Sequence, residues 1–223
     1  VAPPARDGAA PLAAGRTAMI RHHPSEATLL AYAAGRLPEP HRIVLRTHFA
    51  LCPACAQTVR LATEIGGALL DEATPAALSA GSLARTLDRL DLRDPAVPAA
   101  PVPVTVAALA TGRWRWIGPG LRMMSLRPRD AHDARLDLIR VAPGMELPSH
   151  GHTGTELTCV LQGAFRDETG VYAVGDVAEG DDTLEHRPAA MPTDETCVCL
   201  IATTGRLRAQ SWLVRLIQPL IGV

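Results

Sequence analysis

The stretch that organises the first half of the chain is His48-Phe49-Ala50-Leu51-Cys52-Pro53-Ala54-Cys55. If this stretch spans a helix end, His48 and Cys52 are four residues apart, and Cys52 and Cys55 are three apart. Side chains at these spacings lie on one helical face, roughly 5 to 6 Å from one another. Two thiolates and one imidazole suit tetrahedral Zn²⁺. The stretch therefore predicts a zinc site that holds helices together.

The fourth ligand of this site has to come from elsewhere in the chain. The pair His22-His23 is the best donor because it lies just before a helix start at Pro24-Ser25-Glu26, and His41 is the reserve. A redox dithiol or two buried thiols is the alternative interpretation of Cys-x-x-Cys, but His48 and an upstream histidine favour zinc. The spacing differs from that of a DNA-reading zinc finger, whose histidines follow the cysteines after about 12 residues.

Composition and charge limit the class of protein. The chain has 223 residues, of which 47% are hydrophobic and 20% charged, so it has room for one large or two small globular domains. A net charge of -1 leaves no basic surplus to neutralise phosphates, and we expect no direct nucleic-acid partner. No apolar run reaches the roughly 20 residues of a membrane-spanning helix. Five cysteines without a signal-peptide pattern favour a reducing cytoplasm.

Three helices are predicted around the Cys-x-x-Cys stretch, at residues 26–34, 39–51 and 53–70. Ser25 is the expected N-cap of the first helix, Gly35 its C-terminal stop, and Pro53 suits the first turn of the third. The third helix carries an apolar stripe formed by Val59, Leu61, Ile65 and Leu69. Helices this short share only a small core, and domains of this size often need a metal or another staple.

A fourth helical pattern at residues 82–92 places Leu83, Leu87 and Leu90 on one face. This helix either folds back on the bundle or fills a groove in another protein, and the sequence leaves both interpretations open. Four prolines within nine positions follow it, which favours an extended conformation and predicts a linker at 93–111. Residues 1–18 are rich in Ala, Pro and Gly and are predicted to be a disordered extension, or to precede a natural start at Met19.

Beyond the linker, short β-type runs alternate with turn residues. They lie at 113–117, 121–126, 135–140, 157–162, 163–167, 198–203 and 205–212. Strands this frequent, with Gly and Pro between them, predict a sandwich or barrel. An apolar tail at 214–223 is expected to pack against it.

A second candidate site lies inside the β region. On a strand, His150 and His152 project from the same face, and a barrel would bring Glu156 and His186 into the same interior. Three imidazoles and a carboxylate form a mononuclear site that accepts Zn²⁺, Mn²⁺, Fe²⁺ or Ni²⁺, so these residues do not determine the identity of the metal. The alternative is four surface groups, but interior polar side chains are costly unless they are paired or bound to metal.

Cys197 and Cys199 share one face of a predicted strand. They are either small buried apolar side chains or a thiol pair near the metal that oxidants modify. Cys159 is predicted to be a core residue.

The spacing Gly144-x5-His150-x-His152-x3-Glu156-x6-Gly163 resembles the first motif of the cupin superfamily. The second motif is looser, because Ala173-Val174-Gly175 stands where that family usually has Pro-x-Gly. Together with the helical zinc motif, the pattern resembles the ChrR-type zinc-binding anti-sigma factors over residues 20–223. The resemblance also includes Arg21-His22-His23, Ala31-Tyr32-Ala33-Ala34-Gly35, Gly163-Ala164-Phe165-Arg166-Asp167-Glu168-Thr169 and the Cys197-x-Cys199 pair.

The resemblance implies a two-domain α + β protein, with a zinc-stapled helical domain at 19–92 and a cupin-like antiparallel β-barrel at 112–223. It implies zinc on His23, His48, Cys52 and Cys55. It implies a second divalent ion, zinc or another metal, on His150, His152, Glu156 and His186.

The function implied is that of a cytoplasmic anti-sigma factor that sequesters an extracytoplasmic-function sigma factor in a 1:1 complex. The helix with Leu83, Leu87 and Leu90 would contact the sigma factor. The cupin-like domain would release this partner under a stress such as singlet oxygen. Two alternatives remain. One is a metal-dependent cupin enzyme, an oxygenase or hydrolase with an accessory zinc module, although no separate general base is evident. The other is a helix-turn-helix that binds DNA, against which the lack of Lys and the neutral charge balance count.

Overall fold

The computed structural model describes residues 19–90 and 106–209, in which helices precede antiparallel strands. The helices are α1 (Glu26–Ala33), α2 (Glu39–Phe49), α3 (Pro53–Asp71), α4 (Ser82–Leu90) and α5 (Val106–Leu109). The first three begin at the predicted residues and end within two residues of the predicted ends, so the helical first half is confirmed. Within the described ranges, no helix is long and apolar enough to cross a bilayer.

The ends of these helices follow from their local sequence. The side chain of Ser25 accepts a hydrogen bond from the backbone N–H of Thr28 at 3.2 Å, which satisfies a donor in the first turn of α1. Gly35 has φ +68° just beyond α1, a conformation that costs glycine little because it has no Cβ. Pro53 stands at the first position of α3, where a missing N–H removes no helical hydrogen bond.

The second half of the chain folds into antiparallel sheets. Its strands are β1 (Arg115–Gly118), β2 (Leu121–Arg127), β3 (Ala134–Val141), β4 (His150–His152), β5 (Glu156–Gln162), β6 (Ala164–Asp167), β7 (Gly170–Ala173), β8 (Val177–Gly180), β9 (Glu185–His186), β10 (Ala189–Ala190), β11 (Cys197–Thr204) and β12 (Leu207–Ala209). A six-stranded sheet has the order β1-β2-β3-β11-β5-β8, and two three-stranded sheets have the orders β10-β6-β7 and β12-β4-β9. The predicted antiparallel β architecture and the strand expected at His150 and His152 are confirmed, whereas the sequence pattern missed short strands such as β8, β9 and β10.

The central strand β11 is buried on both faces of the six-stranded sheet. Successive side chains of a strand point to opposite faces. Leu200 and Ala202 accordingly join one apolar cluster, and Cys197 and Cys199 join another. The second cluster also contains Phe165 from β6 and residues of β7 and β10, so it fills the space between the six-stranded sheet and one of the small sheets.

Helix α2 packs on the other face of the six-stranded sheet. Its residues Ile43, Val44 and Leu45 are almost completely buried and belong to the same apolar cluster as Leu136 of β3 and Leu200 of β11. A much smaller cluster of Leu29, Cys52 and Cys55 lies between α1 and the start of α3. The predicted small core of the three helices is therefore present, but most of the apolar surface of α2 is buried against the β domain.

The predicted apolar stripe on α3 is not a core stripe along its whole length. Val59 packs against the small helical cluster, whereas Leu61, Ile65 and Leu69 are exposed. With a rise of 1.5 Å per residue, α3 is about 28 Å long and α1 only about 12 Å, so α1 covers only the first turns of α3. In α4, Leu83 is 70% exposed and Leu87 is 51% exposed, so this helix does not fold back on the bundle.

The end of the predicted linker is helical. Val106 of α5 is buried in the cluster that contains α2 and the six-stranded sheet, so the last residues of the segment 93–111 are packed rather than extended. Several predictions lie outside the described residues: the extension at 1–18, most of the linker, the side chain of Leu90, the end of the strand predicted at 205–212 and the tail at 214–223.

The shared core leads to a prediction about unfolding. Leu45→Ala removes a fully buried side chain between α2 and the sheet, and we expect the free energy of unfolding to fall by about 2 to 5 kcal/mol. Helical circular dichroism and the fluorescence of the tryptophans, all of which lie in the second half, should follow the same shifted urea transition. The exposed control Leu30→Ala should change stability by less than about 0.5 kcal/mol. Loss of the helical signal at a lower urea concentration than the fluorescence change would contradict a shared core.

Candidate metal centres

The first cluster joins three segments of the helical part. His23 precedes α1, His48 lies in the last turn of α2, and Cys52 and Cys55 flank the start of α3. The Nδ1 atom of His23 lies 3.5 Å from Sγ of Cys52 and 3.4 Å from Sγ of Cys55. One ligand atom from each of the four residues falls within 4.8 Å of all the others. The structure thus brings together the four residues of the first predicted site.

His48 is arranged as a metal ligand would be. Its Nδ1 lies 2.7 Å from the backbone carbonyl oxygen of Gly175, and because a carbonyl only accepts, Nδ1 carries the proton. Its Nε2 is buried without a hydrogen-bond partner among the described residues. Burial lowers the pKa of His48, so the imidazole is neutral at pH 7 and Nε2 presents a lone pair. A buried lone pair without a donor is costly unless something binds it.

The thiol of Cys55 resists ionisation when no cation is present. Burial, with the neighbouring Cys52, raises the pKa of Cys55 to about 12, so the thiolate is disfavoured without a cation. A divalent metal reverses this balance because a coordinated thiol loses its proton. Two thiols, one bare imidazole nitrogen and a second imidazole form a donor set compatible with zinc.

The other two histidines considered for this site have different contacts. The ring of His22 lies 4.3 Å from the ring of Tyr172, centroid to centroid. His41 is buried and its Nε2 lies 3.1 Å from the hydroxyl oxygen of Thr155. Among the histidines left open by the sequence, the geometry favours His23.

The second cluster lies where β4 pairs with β9. This antiparallel pairing places His150 directly opposite His186. The Nε2 atom of His186 is 3.2 Å from Nε2 of His150 and 3.4 Å from Nε2 of His152. Glu156, at the start of β5, places Oε2 3.6 Å from Nε2 of His152. The structure brings the three predicted histidines into one group and puts the predicted carboxylate beside it.

The ring nitrogens that face away from this cluster are held in place. Nδ1 of His150 donates to the carbonyl oxygen of Pro148 at 2.8 Å, and Nδ1 of His186 is 3.0 Å from Oδ2 of Asp167. Burial lowers the pKa values of His150 and His152. Burial alone would also lower the pKa of His186, but the hydrogen bond to Asp167 and the nearby Glu156 raise it. A carboxylate on the far nitrogen orients a histidine ligand and increases its basicity.

A cavity of about 340 Å³ adjoins the second cluster inside the β domain. Its wall is mainly apolar and includes Met123, Ile139, Phe165 and Ile201, and the three histidines and Glu156 also line it. Cys197 and Cys199 also line it, and their sulfur atoms lie 3.6 Å apart. The hydrogen bond between them lowers the pKa of Cys197 and raises that of Cys199. Cys159 lies in the apolar core on the other face of the sheet, as predicted.

Comparison with known proteins agrees with this arrangement. A family model described as the ChrR cupin-like domain matches residues 103–206. The anti-sigma-E factor ChrR of Cereibacter sphaeroides is 42% identical over 210 residues, which cover 90% of this chain and 97% of the relative. The chain belongs to the ChrR family of anti-sigma factors. The predicted resemblance and the α + β fold with a cupin-like domain are thus confirmed.

A solved structure of the ChrR family extends the comparison to three dimensions. The crystal structure of Rhodobacter sphaeroides SigE in complex with the anti-sigma ChrR matches with a TM-score of 0.67 and 44% sequence identity. The match covers 83% of this chain and 99% of that chain. The helical and the β parts are therefore both shared with that family member.

Two residues that contact histidines of the clusters were not predicted as functional. Asp167 was noted only as part of a resembling stretch, and Gly175 only as part of a loose motif. A turn Gly-Asp dipeptide is common, and nothing in its local pattern indicates that the carbonyl of Gly175 meets a histidine 127 positions earlier.

The Asp167–His186 contact predicts a pH dependence in the metal-free chain. The pKa of His186 is higher in the folded state than its ordinary value of about 6.5. The contact therefore contributes its full stabilisation of the folded state below about pH 6.5, and this stabilisation is lost as the pH rises through the pKa of the folded state. Asp167→Asn should therefore lower the free energy of unfolding more at pH 5.5 than at pH 8.5. Urea unfolding in the presence of a chelator measures this difference, with Glu195→Gln as a control. An equal loss at both pH values would contradict a charged pair.

Proposed function

We propose that this chain is an anti-sigma factor that sequesters an extracytoplasmic-function sigma factor and keeps it from RNA polymerase until a stress signal arrives. The observation that carries the proposal is the match to the anti-sigma-E factor ChrR over nearly the whole of both chains. The structural match to ChrR in complex with SigE supports a partner of that class, and we propose that the two proteins bind in a 1:1 complex. A chain that keeps a sigma factor from RNA polymerase would act in the cytoplasm.

Two metal ions belong to this proposal. Zinc would be held by His23, His48, Cys52 and Cys55, a choice supported by the bare Nε2 of His48 and the two buried thiols. A second divalent ion would be held by His150, His152, His186 and Glu156. Nitrogen and carboxylate ligands accept zinc, manganese, iron or nickel. Each ion would satisfy buried polar groups that are costly without it.

The partner would bind the exposed apolar side of α3 and α4. Contiguous apolar surface on a soluble chain marks interaction sites, and an amphipathic helix fits an apolar groove of a partner. Leu83 and Leu87 of α4 are exposed, and Leu90 continues their stripe in the sequence. The helical domain at 19–92 would thus bind the sigma factor, and the cupin-like domain at 112–223 would receive the signal.

Release of the partner needs a change in relative affinity. A signal shifts the partner from almost fully bound to almost fully free if it changes the free-energy difference between the two states by about 5.5 kcal/mol. An oxidant such as singlet oxygen that alters the second metal site or the Cys197–Cys199 pair would act next to the cavity. A metal-dependent enzyme is less well supported, because the near full-length relative is a regulator.

The zinc ligands give the first test of this function. Cys52→Ala or Cys55→Ala should remove one zinc ion per chain and abolish capture of the sigma factor, because the segments around α1, α2 and α3 are no longer joined by the ion. Metal analysis by mass spectrometry and a pull-down measure both effects. Cys159→Ala is the matched control, since this buried thiol lies in the sheet core. Full capture by a chain that lacks the zinc would disprove the stapling role.

The α4 surface gives a second test. Leu83→Glu and Leu87→Glu should each weaken the complex at least about 10-fold, because a charge would be buried in an apolar interface. The free energy of unfolding of the free chain should stay within about 0.5 kcal/mol, since both leucines are exposed. Val171→Glu, at a position of β7 that is as exposed as Leu87, is the control. Unchanged affinity in a titration with the sigma factor would place the interface elsewhere.

The second metal site gives a third test. His150→Ala or His152→Ala should leave sequestration intact and blunt induction by oxidant, because the altered site lies in the β domain and not on α3 or α4. A sigma-dependent reporter with and without oxidant measures both properties. A normal response to oxidant in these variants would be the contrary result.

A further inference from the structure

The turn between β7 and β8 contacts both segments that carry the histidines of the helical metal cluster. Asp176 in this turn is only 2% exposed. Its Oδ1 accepts hydrogen bonds from the backbone N–H groups of Arg21 at 2.7 Å and His22 at 3.0 Å. Its Oδ2 accepts from the N–H of Ala173 at 2.8 Å. The carboxylate therefore joins the hairpin to the two residues that precede His23.

The segment before His23 is also held from its other side. The N–H of Val177 donates to the carbonyl oxygen of His22 at 3.1 Å, so His22 is bonded through both its N–H and its C=O. The ring of His22 also packs against the ring of Tyr172 of β7, with the two planes tilted by 40°. With the backbone on the amino side of His23 fixed in this way, the direction of the His23 side chain depends on the β domain.

Gly175 provides the contact to the other histidine. Its carbonyl oxygen accepts the Nδ1 proton of His48, and its backbone has φ +92°, where other residues are strained. A Cβ at this position would lie 3.0 Å from side-chain atoms of Ile20. Glycine therefore allows the turn to approach the helices closely enough for its carbonyl to reach His48.

We infer that the β7–β8 turn is the outer shell of the helical zinc site, in which Asp176 positions His23 and Gly175 positions His48. The inference rests on the zinc assignment in the proposed function. Its consequence is thermodynamic coupling, because zinc binding and attachment of the hairpin strengthen each other by the same factor. A rearrangement of the cupin-like domain that moves this turn weakens zinc binding in the helical part, which gives a physical route from one domain to the other.

The test compares Asp176→Ala with Glu179→Ala in the full chain. Glu179 lies on β8 and also bonds the helical part, but it does so through Ser25 and the hydroxyl of Thr28 rather than through the segment before His23. Co²⁺ alone is the probe, since its thiolate-to-metal charge-transfer bands report binding at the Cys52–Cys55 site, whereas its ligand-field bands arise from Co²⁺ at either candidate site.

We expect Asp176→Ala to weaken Co²⁺ binding at the thiolate site by about 10- to 100-fold, the usual effect of removing an outer-shell partner, and to shift its charge-transfer bands. Glu179→Ala should keep the wild-type bands and an affinity within about twofold of wild type. Wild-type bands and affinity in Asp176→Ala would overturn the inference. If the wild-type chain itself gives no thiolate bands, the proposed zinc site fails rather than its outer shell.

A second measurement does not depend on the folding of Asp176→Ala. In a chain with His152→Ala, which disables the other site, Zn²⁺ should slow hydrogen exchange at the amides of Arg21, His22 and Val177, because these amides lie in the coupled contact. The amide of Val171, on the outer part of β7, is the internal control. Unchanged exchange at Val177 on zinc binding would show that the hairpin and the zinc site are independent, and would overturn the inference.

Discussion

Burial of strand β11 on both faces is the constraint on which the architecture depends. One face of this strand supports α2 through Leu200 and Ala202, and the other closes the interior of the β domain through Cys197 and Cys199. A strand that is buried on both faces has to be apolar at nearly every position, as the run from Cys197 to Ala202 is. The helical part is therefore attached to the β domain by its largest apolar cluster and not only by the segment that connects the two in sequence.

The two candidate metal clusters share one hydrogen-bonding arrangement. In His48, His150 and His186 one ring nitrogen meets an oxygen acceptor, and the other faces the cluster. This arrangement selects the tautomer and the ring orientation before any metal arrives, which reduces the entropy lost on binding. The acceptors come from different places: a turn carbonyl for His48, a neighbouring carbonyl for His150 and a carboxylate for His186.

Local rules allowed much of the fold to be predicted from the sequence. Ser25, Gly35 and Pro53 act within a few residues of their own position, so helix ends were predicted well. His48, Cys52 and Cys55 lie within eight positions, and His150 and His152 within three, so their grouping was also visible. The choice of His23 over His22 was not visible from the residues, because it depends on a turn about 150 positions away.

The sequence predictions that were wrong or missing also depend on contacts between residues far apart in the chain. Periodicity identified the stripe on α3 correctly as apolar, but it does not reveal which element packs against the stripe. Helix α1 is too short to cover the whole of it. Val106 was assigned to a linker because the prolines before it dominate the local composition. The Asp176 and Asp167 contacts join residues far apart in sequence, and single acidic residues in turns and strand ends carry no local signal of such a role.

The uncovered leucines and isoleucine of α3 and α4 also bear on how the chain has to be made. Apolar side chains that stay exposed to water favour self-association. A copy of this chain without its partner would therefore tend to precipitate or to be degraded by quality-control proteases. Copies of this chain made in excess of its partner would therefore aggregate or be degraded. A cell gains most by translating the two polypeptides in equal numbers, and a laboratory by expressing them together.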